Sequence, residues 1–344
     1  MSPRGGGDGP SALVTGVSAL VSGASGFLGG RLAVALKARG YTVRALARPT
    51  SDVARLAAEG IGIVSGDLAD EGSLERAAAG QRLVFHTAAR VGDWGAGNEY
   101  HRVNVDGTAR VIAACLRSGV RRLVHVSSLT VLGLPRGGAA VDEETPLAAH
   151  GADPYSASKI AGEELVRRAH GRGGLETVVV RPGVIWGPGD ATFLPRFAAL
   201  LRKGSMMLVG GGRNRVALSH VDNLVQGMLL AAVVPAAAGQ VYHLTDGEEI
   251  TAAEAFRLLA EALGSAPPRR SLPFPVAFAV ASLMEAWART RRRSEPPLFT
   301  RYGVRLIASD GRYEIGKARR ELGYRPAIDF RRGVCALVPE GRLP

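Results

Sequence analysis

The chain has 344 residues, 46% of them hydrophobic and 22% charged, with a formal net charge of +12. That composition excludes a largely disordered chain and suits one large domain or two modest ones, each with a proper core. Among its 43 basic residues only Lys37, Lys159, Lys203 and Lys317 are lysines, and the arginines are dispersed except at 289–293, so the charge does not describe a nucleic-acid-binding face.

Cys115 and Cys335 are too few for a disulfide framework and lack metal-site spacing, so a reducing cytoplasm is expected and no metal site is. The Gly-rich start shows no signal-peptide pattern. The longest apolar run, around Phe274 to Met284, is about half of the ~20 residues that a spanning helix needs.

Residues 1–17 read as a disordered or loosely attached extension, because the first ten have nothing to bury. Within this region "SALVTG" at 11–16 is nearly repeated by "SALVSG" at 18–23. Only the second copy runs into glycines at 23, 26 and 29, followed by a helical pattern at Leu28, Leu32, Ala35 and Leu36 that Gly40 ends. Strand, glycine turn and helix start are the parts of a dinucleotide-binding crossover. Gly23 permits the tight turn, Gly26 lets backbone approach a pyrophosphate, and Gly29 lets helix pack on strand. N–H groups at the helix start then face the phosphates. The candidate contacts are Gly23, Ser25, Gly26, Phe27, Leu28 and Gly29; the first copy is assigned no function.

From Ala19 to about Arg181 short apolar strands alternate with amphipathic helices. Strands are expected at Thr42–Ala47, Gly62–Ser65, Leu83–Thr87, Leu123–Ser127 and Thr177–Val180, and helices at Asp52–Ala58, Glu71–Ala79, Asn98–Arg117 and Tyr155–His170. This is the pattern of an α/β, Rossmann-type doubly wound parallel sheet over 18–181. Beyond it Gly and Pro become frequent, and 182–344 reads as a smaller, irregular region that mainly binds substrate.

The second strand ends at Ala47 and Arg48, with no acid before Asp52. A carboxylate there would bond the ribose hydroxyls of NAD, whereas an arginine accommodates the extra phosphate of NADP. NADP(H) is favoured and NAD(H) is the alternative; Arg48 is otherwise one more surface arginine. Asp67, ending the third strand, either reaches the adenine or caps the next helix.

Tyr155 and Lys159 stand four residues apart, on one face of a helix. A phenol is a poor acid–base group at neutral pH, and a neighbouring ammonium favours its ionised form. Ser127 and Ser128 stand where the fifth strand leaves the sheet, the end at which ligands gather. Ser128 is the favoured third member of a catalytic set with Tyr155 and Lys159; serines in such places otherwise form turns.

With these motifs in view, the chain resembles the extended short-chain dehydrogenases/reductases, which include nucleotide-sugar epimerases and 3β-hydroxysteroid dehydrogenases, nearly throughout from Ala19. The resemblance rests on the glycine turn, Gly66-Asp67-Leu68, "FHTAA" at 85–89, "NVDGT" at 104–108, the serine pair, Tyr155-xxx-Lys159 and "RPGVIWGPGD" at 181–190. It implies that Ser128 orients a carbonyl or alcohol, Tyr155 is the general acid/base, and Lys159 bonds the nicotinamide ribose. It also implies a cofactor lining of Asp67, Leu68, Thr87, Ala88, Ala89, Pro182, Gly183 and Val184. Asn104 would tie the fourth- and fifth-strand regions together, and the helices at Asn98–Arg117 and Tyr155–His170 would form a homodimer.

"HTAARVGDWG" at 86–95 and "GGGRNRVALSHVDN" at 210–223 lean toward the 3β-hydroxysteroid dehydrogenase branch. Nucleotide-sugar enzymes tend to carry an arginine four residues before the position of His220. Here that residue is Val216, with Arg215 one place earlier, where a loop salt bridge is the plain alternative. The apolar stretch 272–289, followed by Arg289–Arg293, has three readings: a roof over a hydrophobic ligand lined by Phe274, Phe278 and Trp287; a contact with an anionic membrane surface that does not span it; or a core helix with a solvated end. Pro273 and Pro275 suit only its first turn, so a helix should begin near them.

The sequence therefore leads to an NADP(H)-dependent oxidoreductase that interconverts a secondary alcohol and a ketone on a hydrophobic small molecule, a sterol or a 3-oxo acid. One alternative is a nucleotide-sugar epimerase/dehydratase holding NAD tightly. The other is a non-catalytic cofactor sensor, which would leave the Tyr155/Lys159 pair idle.

Overall fold

The computed structural model describes residues 16–337 apart from 93, 136, 152 and 294. The expected N-terminal extension and the first SALVTG copy lie outside the described residues except at their last positions.

The first half runs β1 (Ser18–Ser22), α1 (Phe27–Ala38), β2 (Thr42–Ala47), α2 (Ala54–Ala58), β3 (Gly62–Ser65), α3 (Glu71–Ala78), β4 (Leu83–His86), α4 (Gly97–His101), α5 (Gly107–Arg117) and β5 (Arg122–Val126). It continues through β6 (Ala139–Val141), α6 (Pro154–Ala169), β7 (Glu176–Pro182), β8 (Val184–Trp186), α7 (Phe193–Arg202), β9 (Met207–Val209), β10 (Leu218–His220), α8 (Val221–Val233) and β11 (Val241–Leu244). The last part holds α9 (Ala252–Ala262), β12 (Arg270–Leu272), α10 (Phe274–Thr290), α11 (Arg301–Ile307), β13 (Gly311–Tyr313) and α12 (Phe330–Leu337).

Seven strands form one sheet in the order β11-β7-β5-β4-β1-β2-β3. Every pairing in it is parallel. This is the doubly wound α/β sheet that the alternation predicted. Strands covered on both faces must be apolar along their length, and "ETVVVRP" of β7 is buried from its second residue on. On one face α1 and α8 pack Leu32, Leu36, Leu224 and Met228 against Val21, Phe85 and Val178. On the other, Leu74, Ile112, Cys115 and Val166 of α3, α5 and α6 cover Leu20, Val84 and Leu123. A further cluster of Trp186, Leu194, Phe197, Phe256, Leu259 and Phe330 holds the region beyond the sheet.

Two features depart from the chain-order reading. The sheet does not end near residue 181: Tyr242 of β11 pairs with Val180 of β7, and Leu244 with Pro182. The long helix expected over Asn98–Arg117 is a rod of α4 and α5 joined by a π turn at Arg102–Asp106. Asn104 in that turn sits so close to α6 that a Cβ on Gly162 would lie 2.6 Å from its carbonyl oxygen.

Candidate active site

The order of the strands reverses between β1 and β4, which opens a crevice at their carboxyl ends. The glycine turn fills it. Gly23 has φ +76, and a Cβ there would stand 2.7 Å from the Ala88 backbone. A Cβ on Gly29 would strike the Gly23 carbonyl and lie 2.6 Å from the Thr87 hydroxyl, which itself donates to the Ser22 carbonyl at 2.7 Å. Gly26 differs: its Cβ would meet only the Gly23 carbonyl, at 3.2 Å, so its outer side is open. Gly26 also caps α1 without any side chain, leaving the first turn of the helix to other acceptors. This cradle fits a dinucleotide pyrophosphate, with Ser25, Phe27 and Leu28 around it.

At the end of β2, Ala47 is buried and Arg48 exposed, and the Arg48 guanidinium makes no ion pair among the described residues. Asp67 accepts from the Ala69 N–H at 2.8 Å and is exposed. Capping of α3 falls instead to Asp70, which accepts from the Ser73 N–H. The stretch after β7 offers less than expected. The Gly183 N–H donates to Ser219 Oγ at 2.9 Å and the Val184 N–H to the Ala217 carbonyl at 2.8 Å, so both donors are already used within the protein.

Ser128, Tyr155 and Lys159 meet at the carboxyl end of β5. The two serines part there, as successive residues of an extended chain do. Ser127 Oγ donates to Glu163 at 2.6 Å beneath α6, whereas Ser128 Oγ accepts from the Thr130 hydroxyl at 3.0 Å and lies near enough to the Tyr155 phenol to favour its ionised form. α6 begins with Asp153, whose carboxylate accepts from the Ser156 N–H at 2.9 Å, and Pro154 in its first turn. That start sets Tyr155 at the mouth and Lys159 one turn inside. Lys159 is 3% exposed, and its ammonium donates to the Val126 carbonyl at 2.6 Å.

The electrostatics depart from the expected activation. Burial pushes the Tyr155 phenol up to about 12; Ser128 opposes this, and Asp153 and Tyr100 add to it. Burial brings Lys159 down to about 8, with the Glu163 carboxylate pulling the other way. Lys159 is not among the groups that move the phenol, because its ammonium is turned to Val126.

Below this set lies a buried polar layer. Glu163 and Arg181 are paired with neither side chain exposed beyond 1%. His86 bridges Ser22 Oγ and Thr108 Oγ1 at 2.7 and 3.0 Å, and burial holds its imidazole neutral, down to about 3. Asn104 accepts from the Arg90 N–H at 2.7 Å and donates to Ser158 Oγ at 2.8 Å. It therefore ties the loop after β4 to α6, rather than to the fifth strand.

The residues that surround Tyr155 were not legible in the sequence. Tyr100 and Tyr302 stand edge-on to its ring, with centroids 6.4 and 6.3 Å away. A cavity beside it is lined by Gly92, Trp94, Gly95, Asp153 and Arg289. These come from segments about two hundred residues apart, and only the "VGDWG" motif and the basic run that opens at Arg289 marked any of them. Of the three readings of 272–289, the aromatic roof is not what its side chains form: Phe274 and Phe278 stack on each other at 5.7 Å, and Trp287 is 52% exposed. Arg215 forms the plain loop ion pair, 3.6 Å from Glu249.

Residues 19–244 match the model of the NAD dependent epimerase/dehydratase family. The chain is 37% identical to a 2-alkyl-3-oxoalkanoate reductase of Stenotrophomonas maltophilia, over 90% of this chain and 95% of the relative. It is 34% identical to a 3 beta-hydroxysteroid dehydrogenase/Delta 5-->4-isomerase of Mycobacterium tuberculosis, over 91% of this chain and 87% of the relative. Among solved structures it is similar to a dTDP-glucose 4,6-dehydratase of Streptomyces venezuelae bound to NAD, with 27% identity, a TM-score of 0.77, and coverage of 95% of this chain and 97% of that one.

Proposed function

Because the chain belongs to the NAD dependent epimerase/dehydratase family and is an NAD(P)-dependent oxidoreductase, we propose that it interconverts a secondary alcohol and a ketone on a hydrophobic 3-oxo acid or 3β-hydroxysteroid, with NADP(H). The observation that carries this reading is the convergence of Ser128, Tyr155 and Lys159 at the carboxyl end of β5, beside the glycine cradle. The relatives named as ketoreductases and as a hydroxysteroid dehydrogenase support the substrate class.

The nicotinamide, when bound, supplies or accepts the hydride. Gly26 and the N–H groups at the start of α1 would hold the pyrophosphate in the turn that Gly23 and Gly29 shape, Arg48 would take the 2′-phosphate, and Lys159 would reach the nicotinamide ribose. In the reducing direction Ser128 Oγ donates to the substrate oxygen and fixes it against Tyr155. The phenol, fully protonated at neutral pH because burial holds it near 12, then gives its proton to that oxygen as negative charge develops there. An alcohol is a far weaker acid than even this phenol, so the transfer runs downhill. The Lys159 ammonium, held at the strand end by the Val126 carbonyl, acts through the nicotinamide ribose hydroxyls, to which it would donate, rather than on the phenol itself.

A nucleotide-sugar substrate fits less well, since Arg215 is engaged with Glu249 rather than offered to a diphosphate. Titration of the protein with NADPH and NADH, repeated on Arg48→Ala, tests the cofactor. Preference for NADPH that falls at least about tenfold in the variant supports the reading; equal binding of NADH, indifferent to Arg48, contradicts it. A substrate panel of long-chain 3-oxo acids, 3β-hydroxysteroids and nucleotide sugars tests the reaction, and turnover of the sugars alone contradicts it.

A further inference from the structure

α10 is built inside out. Its buried positions are Ala277, Ala281, Glu285 and Ala288, whereas Val276, Val280, Leu283 and Trp287 are 47, 37, 72 and 52% exposed. A surface helix ordinarily turns small and large apolar residues inward and its charges outward. Spacings of four, three and four residues place these four large side chains in one stripe. The exposed alanines 279 and 286 lie on the same side and add no polarity. The helix's one acid, Glu285, faces inward, accepting from the Arg301 N–H at 2.6 Å and from its Nε at 2.9 Å. The outer face is therefore apolar and uncharged.

Its ends are strongly basic. Arg269 and Arg270 precede it, Arg289 stands in its last turn, and Arg291, Arg292 and Arg293 follow, all exposed. Arg292 takes φ 48, turning the chain back so that the arginines stay beside the helix end. Arg291 and Arg293 lie over the Trp287 ring at 5.8 and 5.4 Å. Arg291, Arg292 and Arg293 pair with no acid among the described residues.

We propose that α10 docks the protein on an anionic phospholipid bilayer, with Val276, Val280, Leu283 and Trp287 at the acyl boundary and the flanking arginines among the phosphates. A helix with a large apolar face and basic ends lies in the interface plane, and an exposed tryptophan suits that depth. Charge complementarity selects lipid over a second copy of the chain, because a two-fold pairing through this face would bring the arginine clusters together. Docking would also set the site's cavity next to the bilayer, since Arg289 and Trp94 line it and Arg289 lies 5.5 Å over the Trp94 ring. Vesicle binding is read without substrate, so it stands or falls separately from the reaction assigned above.

The test is co-sedimentation of the full chain with vesicles of phosphatidylcholine alone and of phosphatidylcholine with phosphatidylglycerol. Wild type is compared with Leu283→Asp and with the pair Arg291→Glu, Arg292→Glu. The expected result is binding to the anionic vesicles only, weakened at least about tenfold by either variant and by high salt. Unchanged thermal melting of both variants shows that the fold persists. Absence of binding to either vesicle overturns the proposal, as does equal binding to both. A dimer of the wild type that Leu283→Asp dissolves also overturns it and assigns the face to a second copy.

Discussion

The Lys159 ammonium donates a 2.6 Å hydrogen bond to the carbonyl of Val126, the last residue of β5. A buried cation is thereby fixed at the strand end from which Ser128 emerges. Its ionisation falls to about 8, while the Tyr155 phenol rises to about 12 and stays protonated across the working range. In the reductive direction kcat/KM should be level at neutral pH and decline above about 8 as the ammonium is lost. Lys159→Met should show low activity with no such limb. A wild-type profile that stays flat well above that value would contradict this assignment.

The same burial has a cost in stability. Lys159 titrates at about 8 in the fold against 10.5 for an unperturbed lysine, so between those values the unfolded chain binds more protons. Stability from this group therefore rises with pH across that window and is lowest below it. Lys159→Met should raise unfolding free energy at neutral pH by roughly 1–3 kcal/mol while activity drops. Urea unfolding curves of the two proteins measure it; a less stable variant would show that the Val126 bond outweighs desolvation.

Gly26 and Gly29 should separate binding from folding. At Gly29 an added methyl meets the Gly23 carbonyl and the Thr87 hydroxyl, and Gly29→Ala should cost about 1–3 kcal/mol of stability. Gly26→Ala meets only the Gly23 carbonyl, at 3.2 Å, and should lose less stability than Gly29→Ala, yet weaken NADPH binding at least about tenfold by occupying the pyrophosphate's approach. Equal NADPH binding by Gly26→Ala and wild type would remove this glycine from the cofactor site.

Much of this architecture was legible because its signals are local. Thr42–Ala47 and Gly62–Ser65 form the expected strands to the residue, and the glycine turn, the serine pair and Tyr155/Lys159 each lie within a few positions of one another. Ser128 is separated from Ser127 by strand alternation alone. What stayed hidden depends on distance in the chain. β11 returns to the sheet after a long excursion, and Tyr302 reaches Tyr155 from α11. α10 was readable as an apolar segment, but not which of its faces would be left outside. That choice was made by Glu285, which is drawn inward by Arg301.

Glu163 and Arg181 hold the floor of the site as a fully buried pair, with Ser127 donating to the same carboxylate at 2.6 Å. Glu163→Ala would leave the guanidinium buried and uncompensated, a loss of about 3–5 kcal/mol. Denaturant unfolding measures it, and a loss below about 1 kcal/mol would mean that water replaces the carboxylate.

The central claim is that Tyr155 passes a proton to the oxygen of a hydrophobic ketone. The measurement that tests it most directly is NADPH oxidation driven by a long-chain 2-alkyl-3-oxo acid, in wild type and in Tyr155→Phe. The phenyl ring keeps its place between Tyr100 and Tyr302, so cofactor binding should persist. Turnover should fall by about 10²–10⁴. Ketone-dependent oxidation that is undiminished in Tyr155→Phe, or absent from the wild type, would contradict the account.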